Sequence, residues 1–423
     1  KNIYLKDVNM FVLRQLHNKI NTTVVSMSII CLMLFMTITI LSSALSLNNT
    51  MRKDLEDTTP VDLNLYKTAN LPENEKMSKA QIEDSRKTMI QTLEDNGFDM
   101  TKLKDVVEIP IYATNELTWR DTLSPVYDEV KQQFPNLLYE TAEEIVKVSD
   151  YNKVARLYGN IEYQLKDDEY IILCDFDNMK NLRNKALKAD STITIAGKEY
   201  KSKYDECQNG YIYMAGSHIN NGIVLVPDSC NLTEDMKEET FLAANYNATT
   251  EEEKEEIEKI CTGETETEFS KNLNEKDITI DGMTKIAIIE SSLGVSTIVL
   301  FIAIYLGIIF LIASSAILAL KQLTESSDNK QRYAILRKIG ADEKMIKGAL
   351  FKQIGIFFLM PLILAIIHSI FGIQFVMTMM SVLADAKELL PSAIATAVII
   401  GVIYGAYFMA TYLGSKNIIK EAE

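Results

Sequence analysis

The sequence predicts a membrane protein of four transmembrane α-helices, with a large α+β extracellular domain inserted between the first and the second. Three observations carry this reading. Four uncharged runs, residues 20–51, 291–320, 353–384 and 389–415, each exceed the roughly 20 residues that a spanning helix needs. A polar block, residues 52–290, separates the first run from the second. Charge is segregated between them: the block holds 28 Lys and Arg against 49 Asp and Glu, a balance of −21, and the rest of the 423-residue chain carries +6.

That segregation sets an orientation. Basic residues flank the runs at Lys1, Lys6, Arg14 and Lys19, within residues 321–352, and at Lys416 and Lys420. The positive-inside rule then places both termini and the 321–352 loop in the cytoplasm, and the acidic block outside. The expected organisation is a cytoplasmic amphipathic helix (1–19), a first transmembrane helix with its stalk (20–51), the extracellular domain (52–290) and a second transmembrane helix (291–320). A cytoplasmic loop (321–352), a third transmembrane helix (353–384), an extracellular turn (385–388), a fourth transmembrane helix (389–415) and a cytoplasmic tail (416–423) complete it.

Residues 3–20 place Ile3, Tyr4, Val8, Phe11, Val12 and Ile20 on one stripe, which predicts an amphipathic helix on the inner leaflet. The first run, as a helix, would measure ~48 Å against a hydrocarbon core of ~30 Å. Its polar end, residues 46–50, therefore continues above the membrane, and residues 283–296 can form the matching descending stalk. The run is too long for a signal peptide and lacks a small-residue cleavage site. The chain opens in mid-pattern on Lys1, and residues upstream are expected to be missing.

In the polar block, strand patterns cover residues 61–66, 106–114, 169–176, 191–197, 210–214 and 222–226. Helical patterns cover 78–97, 141–159 and 233–247, and the charge run 251–259 reads as a solvated helical face. Cys31 falls in the first run and reads as packing. Cys174, Cys207, Cys230 and Cys261 lie in the block, an even number that permits disulfides. Three histidines, His17, His218 and His368, are too scattered for a zinc site.

The third run contains Pro361, expected to kink its helix, and His368, an intramembrane polar residue with either a functional role or a bond across helices. The fourth run carries Gly401 and Gly405, a spacing that allows close helix packing. The 321–352 loop sets eight Lys or Arg against four acids. Within it Leu323, Ala334, Ile335 and Ile339 recur at helical spacing, Gly340 can close a helix, and Asp342 and Glu343 suit the start of the next. The loop reads as a docking element for a cytoplasmic partner, or as a solvated linker.

The sequence holds no phosphate-binding G-x-x-x-x-G-K-[ST] loop, no H-E-x-x-H, no G-x-S-x-G and no complete calcium loop. No catalytic residue, metal or cofactor is therefore assigned to this chain. The acidic balance argues against nucleic acid, while an acidic outer face can attract a cationic peptide by long-range steering.

The segments RQLHNKINT (14–22) and RYAILRKIGADEKMI (332–346), with one helix, a large domain and then three helices, resemble FtsX-like ABC transporter permeases. The segments VSDYNKVARLYG (148–159) and GIVLVPDS (222–229) resemble the Firmicutes branch that handles bacitracin and other antimicrobial peptides. The resemblance implies a permease subunit without ATPase activity of its own, paired with a separate ATP-binding subunit that carries ATP and magnesium. It implies that this subunit receives the loop as a coupling element through Arg332, Tyr333, Leu336, Arg337, Lys338, Gly340 and Ala341. It further implies mechanotransmission from ATP hydrolysis to the outer domain, and resistance to or sensing of peptides that target the cell wall. The implied partners are a cationic peptide or lipid-linked cell-wall precursor, a membrane sensor histidine kinase and the lipid bilayer. Branch members have ten crossings, so this sequence would be a C-terminal portion lacking six; a whole subunit would require a homodimer. The alternatives are a division-type regulator of cell-wall hydrolases, disfavoured by the large outer domain, a receptor signalling inward, and an extracellular enzyme.

Overall fold

The computed structural model describes residues 9–73, 77–380 and 389–420. The chain order begins α1 (Asn9–Thr58), β1 (Leu63–Thr68), α2 (Lys79–Ser85), α3 (Met89–Asp95), β2 (Leu103–Tyr112), α4 (Trp119–Thr122), α5 (Tyr127–Gln133) and β3 (Ile145–Lys147). It continues with α6 (Val148–Tyr158), β4 (Glu169–Leu173), α7 (Asp177–Ala189), β5 (Thr192–Ile195), β6 (Lys198–Ser202), β7 (Ile223–Val226) and β8 (Lys237–Tyr246). The last part is α8 (Glu251–Cys261), α9 (Glu268–Lys276), β9 (Asp281–Thr284), α10 (Lys285–Asp328), α11 (Lys330–Lys338), α12 (Glu343–Met380) and α13 (Leu389–Lys420). The turn expected at 385–388, the start of the amphipathic helix at 3–8 and the end of the tail lie outside the described residues. Two compact units result, one drawn from both ends of the chain, up to Thr50 and from Gly294, and the other comprising Met51–Leu293.

In the first unit, α1, α10, α12 and α13 each contain a segment long and apolar enough to cross a membrane. Their outward side chains, among them Phe301, Phe371, Phe375 and Val402, are exposed apolar groups suited to hydrocarbon. Inward, Ile30 and Leu34 of α1 pack in one core with Leu311 and Leu318 of α10, Ile354 and Phe358 of α12, and Ile400 and Tyr404 of α13. Pro361 lies inside α12, which continues through it. A proline cannot donate to the carbonyl four residues back, and its ring crowds that turn. In the same turn the Tyr404 hydroxyl donates to the Phe358 carbonyl at 2.8 Å, supplying a donor from the neighbouring helix.

Close helix approach is made at glycines other than the expected pair. A Cβ on Gly307 would meet the Leu41 side chain at 2.6 Å, and one on Gly372 would meet Phe35 at 2.7 Å and Thr39 at 2.9 Å. The Thr37 hydroxyl adds a bond to the Gly307 carbonyl at 3.3 Å. Gly401 and Gly405 would meet nothing within 4 Å, so within the described residues their face of α13 packs no neighbour. The spacing alone could not tell a packed face from an open one.

The second unit is organised on one nine-stranded mixed sheet in the order β5-β6-β4-β7-β3-β2-β8-β1-β9. Several expected elements differ. Residues 233–247, read as a helix from their Glu, Leu and Ala content, contain β8, which is paired antiparallel to both β1 and β2. Its run Phe241, Leu242, Ala243 and Ala244 is buried on both faces, and such a strand loses the alternation by which strands are recognised. Pairing partners distant in sequence decided its conformation over local propensity. The 78–97 segment is two helices, α2 and α3, each opened by a capping box at Ser78 and Thr88. The 141–159 segment begins as β3 before turning into α6, and residues 210–214 form no strand. On α8 the charge run is solvated except at Ile257 and Glu258, where the Glu258 carboxylate accepts from the Tyr246 hydroxyl at 2.7 Å.

The five cysteines are free thiols, and Cys174, Cys207 and Cys230 share one apolar core. Beside that core Arg183 and Glu143, exposed by 1% and 0%, form a two-pronged pair at 2.9 and 3.0 Å. The guanidinium also donates to the Asn221 carbonyl at 2.6 Å and stacks over Trp119. Gly222, at φ +151°, leaves the space it occupies: a Cβ there would stand 2.5 Å from the guanidinium carbon.

Two outcomes follow from this packing. Glu143→Ala strands a buried guanidinium and should cost about 3–5 kcal/mol of the second unit's stability in chemical unfolding of the full chain. Gly372→Ala should cost about 1–3 kcal/mol in the membrane unit by thermal unfolding in detergent, whereas Gly401→Ala should be neutral.

Candidate functional site

The residues singled out around the 321–352 loop come together at one end of the first unit. α10 runs to Asp328, Asn329 follows, and α11 begins at Lys330. Gly340 ends that helix with φ +91°, a left-handed conformation glycine adopts at low cost. Its N–H donates to the Arg337 carbonyl, and the Ala341 N–H to the Leu336 carbonyl, both at 3.0 Å. The Met345 and Ile346 N–H groups then bond the Asp342 carbonyl, and α12 starts at Glu343. The expected helix, glycine stop and acidic restart are all present.

Two side chains fasten α11 inward. Tyr333 is buried, meets Phe11 edge-on at 5.4 Å, and donates its hydroxyl to Gln353 Oε1 at 3.0 Å. Burial, and then the nearby Glu325 carboxylate, hold its phenol well above the ordinary tyrosine range. Arg337 bonds the Glu343 carboxylate through Nε at 2.5 Å and the Ile419 carbonyl, near the end of α13, at 3.1 Å. Leu336 and Ala341 pack against the membrane unit's core. Of the seven residues expected to face a partner, Tyr333, Leu336, Arg337 and Ala341 thus serve the internal scaffold.

Arg332, Lys338 and Gly340 do face outward. Beside them stand Ile335, 58% exposed, and Ile339, 74% exposed, two branched apolar side chains one helical turn apart. The surface is an apolar ridge flanked by cations, the pattern by which a short helix seats in a partner's groove. Helical spacing had already marked Ile335 and Ile339 in the sequence. Projecting Arg332 and Lys338 onto the same arc is the signal that would have assigned them to the outer face.

His368 lies on the exposed side of α12 between Leu364, Ile367 and Phe371, all exposed. It is not brought to the loop or to the glycine pair. Among the described residues no group of three or more His, Cys, Asp or Glu is arranged to hold a metal.

Arg337→Ala should loosen the hairpin by about 1 kcal/mol, a roughly fivefold faster amide exchange across 330–341. Lys338→Ala should leave that exchange unchanged, and equal effects would contradict the inward role of Arg337.

Residues 307–422 match the FtsX-like permease C-terminal family. Over 108 residues, 25% of this chain, the sequence is 38% identical to the bacitracin export permease protein BceB of Bacillus subtilis (strain 168), covering 16% of that protein. It is 33% identical over 124 residues to the bacitracin export permease protein BceB of Halalkalibacterium halodurans, 29% of this chain and 18% of that one. Over 302 residues it is 22% identical to the uncharacterized ABC transporter permease YvcS of Bacillus subtilis (strain 168), 70% of this chain and 44% of the relative. The matched stretches span less than half the length of each of these relatives.

Proposed function

Taking residues 307–422 as an FtsX-like permease C-terminal domain, we propose that this chain is a permease subunit of an ABC transporter, driven through α11 by a separate ATP-binding subunit. The observation that carries the reading is the ridge of Ile335 and Ile339, exposed in a surface otherwise rich in Arg and Lys and mounted on a helix stapled from within. An isolated pair of exposed isoleucines means little; a pair held rigid by a buried phenol and an arginine fork is a preformed anchor. On this reading the partner binds ATP and magnesium, closes on hydrolysis and pushes on α11. Tyr333 and Arg337 pass the push to α12 and α13, and α1 and α10, by which the chain passes from one unit to the other, carry it to the second unit.

The reading places α11 and both termini in the cytoplasm of a bacterial cell and the second unit outside. Its task would be resistance to, or sensing of, antimicrobial peptides that target the cell wall, a role supported by the similarity to two bacitracin export permeases. A cationic peptide or lipid-linked cell-wall precursor would be the external partner, and a sensor histidine kinase a further membrane partner.

Coexpression with the ATP-binding subunit expected in the neighbouring reading frame tests the anchor. Ile335→Asp with Ile339→Asp should abolish copurification and permease-stimulated ATP hydrolysis, because each buried charge would cost several kcal/mol at the interface. Unchanged copurification would remove α11 from the coupling route. Externally added maleimide reaching a cysteine at position 338 in intact cells would reverse the orientation.

A further inference from the structure

The second unit contains a cleft of about 770 Å³ whose chemistry is one-sided. Only two charged residues line it, Glu144 and Asp175, and both are acids. Asp175 is internally committed: one carboxylate oxygen meets His218 Nδ1 at 2.9 Å and the other accepts the Asn220 N–H at 2.8 Å. Glu144 is different. It is half-buried, and among the described residues its carboxylate has no hydrogen-bond or ion-pair partner. Its neighbour Glu143 has taken the arginine, Arg183, which stands behind the cleft wall at Gly222. Burial pushes the Glu144 carboxyl up to about 7, and the surrounding acids Glu239, Glu143 and Glu238 add to the effect.

Two apolar residues of the same lining are uncovered. Leu138 is 75% exposed and Ile219 55% exposed, and Trp119, the chain's one tryptophan, also lines the site. An unpaired acid in a low-dielectric wall asks for a cation, and water-exposed leucine and isoleucine beside it ask for hydrocarbon. We propose that this cleft binds an amphipathic organic cation, a primary ammonium on an apolar stem, with Glu144 as its counter-ion and Leu138 and Ile219 against the stem.

The position of the cleft gives such a ligand a mechanical consequence. Thr58, the last residue of α1, and Ser292 of α10 are part of its wall. The Thr58 hydroxyl donates to the Ala215 carbonyl at 2.6 Å, and Gly216 lies so close to Ser292 that a Cβ there would stand 2.5 Å from its hydroxyl. The segment carrying Ile219 is thus tied to both helices, and a stem that displaces it pulls on them.

The test uses the full chain in nanodiscs of zwitterionic lipid, without any ATP-binding subunit, so that its outcome is independent of whether α11 docks one. Dansylcadaverine, an aminopentyl sulfonamide, is titrated while Trp119 emission is followed by energy transfer to the dansyl group. N-butyl dansylamide serves as the uncharged control. The proposal expects saturable quenching by the amine, affinity about tenfold weaker for the uncharged probe, and a similar loss for Glu144→Gln toward the amine alone. Leu138→Ser should weaken both probes. Equal affinity for the two probes, or wild-type binding of the amine by Glu144→Gln with an unchanged melting temperature, would overturn it.

Discussion

A helix of nine residues has too few internal hydrogen bonds to hold itself in water, so α11 exists only because something else fixes it. That constraint is met twice, by the Tyr333 hydroxyl on Gln353 and by Arg337 on Glu343 and the Ile419 carbonyl. Both side chains reach across to α12 or α13, so the hairpin is an outgrowth of the membrane unit and not an appendage. The arrangement also settles the division of labour among its cations. An arginine can serve as an internal fork while its neighbours face water, because the guanidinium offers several donors in one plane. Lys338, one position on, has a single flexible head and faces outward.

The second unit rests on a comparable commitment, made in its interior. The Arg183 and Glu143 pair sits with almost no exposure, where leaving either partner alone would be costly. Its satisfaction by a fork, a carbonyl and the face of Trp119 makes that charge silent. Having been spent there, the arginine is not available to Glu144, the next residue along the chain. Two consecutive positions ahead of β3 thus hold a buried, paired acid and a half-buried one.

The membrane helices, the acidic block and the helical hairpin with its glycine stop were legible, because hydropathy and charge act locally and over long windows. The central sheet was legible only at strands with β-branched content, such as β4 and β7. β8 was misread since Lys, Glu, Leu and Ala favour helix, and only β1 and β2, more than a hundred residues upstream, make it a strand. At the hairpin, residue type gave the helix and its glycine stop but not the direction each side chain takes. Tyr333 and Arg337 read as surface residues because a tyrosine and an arginine in a basic loop usually are. The glycine pair in α13 meets no neighbour among the described residues: small residues permit contact, and Gly307 and Gly372 show that the approaching side chain decides where contact occurs.

Pro361 leaves α12 with one turn whose backbone ladder is already incomplete, and the phenol of Tyr404 sits on the Phe358 carbonyl in that turn. Fewer backbone bonds oppose bending there than elsewhere in hydrocarbon, where nothing replaces a broken one. The adjacent helix thus supplies a hydrogen bond at the one turn of α12 where the proline withholds one.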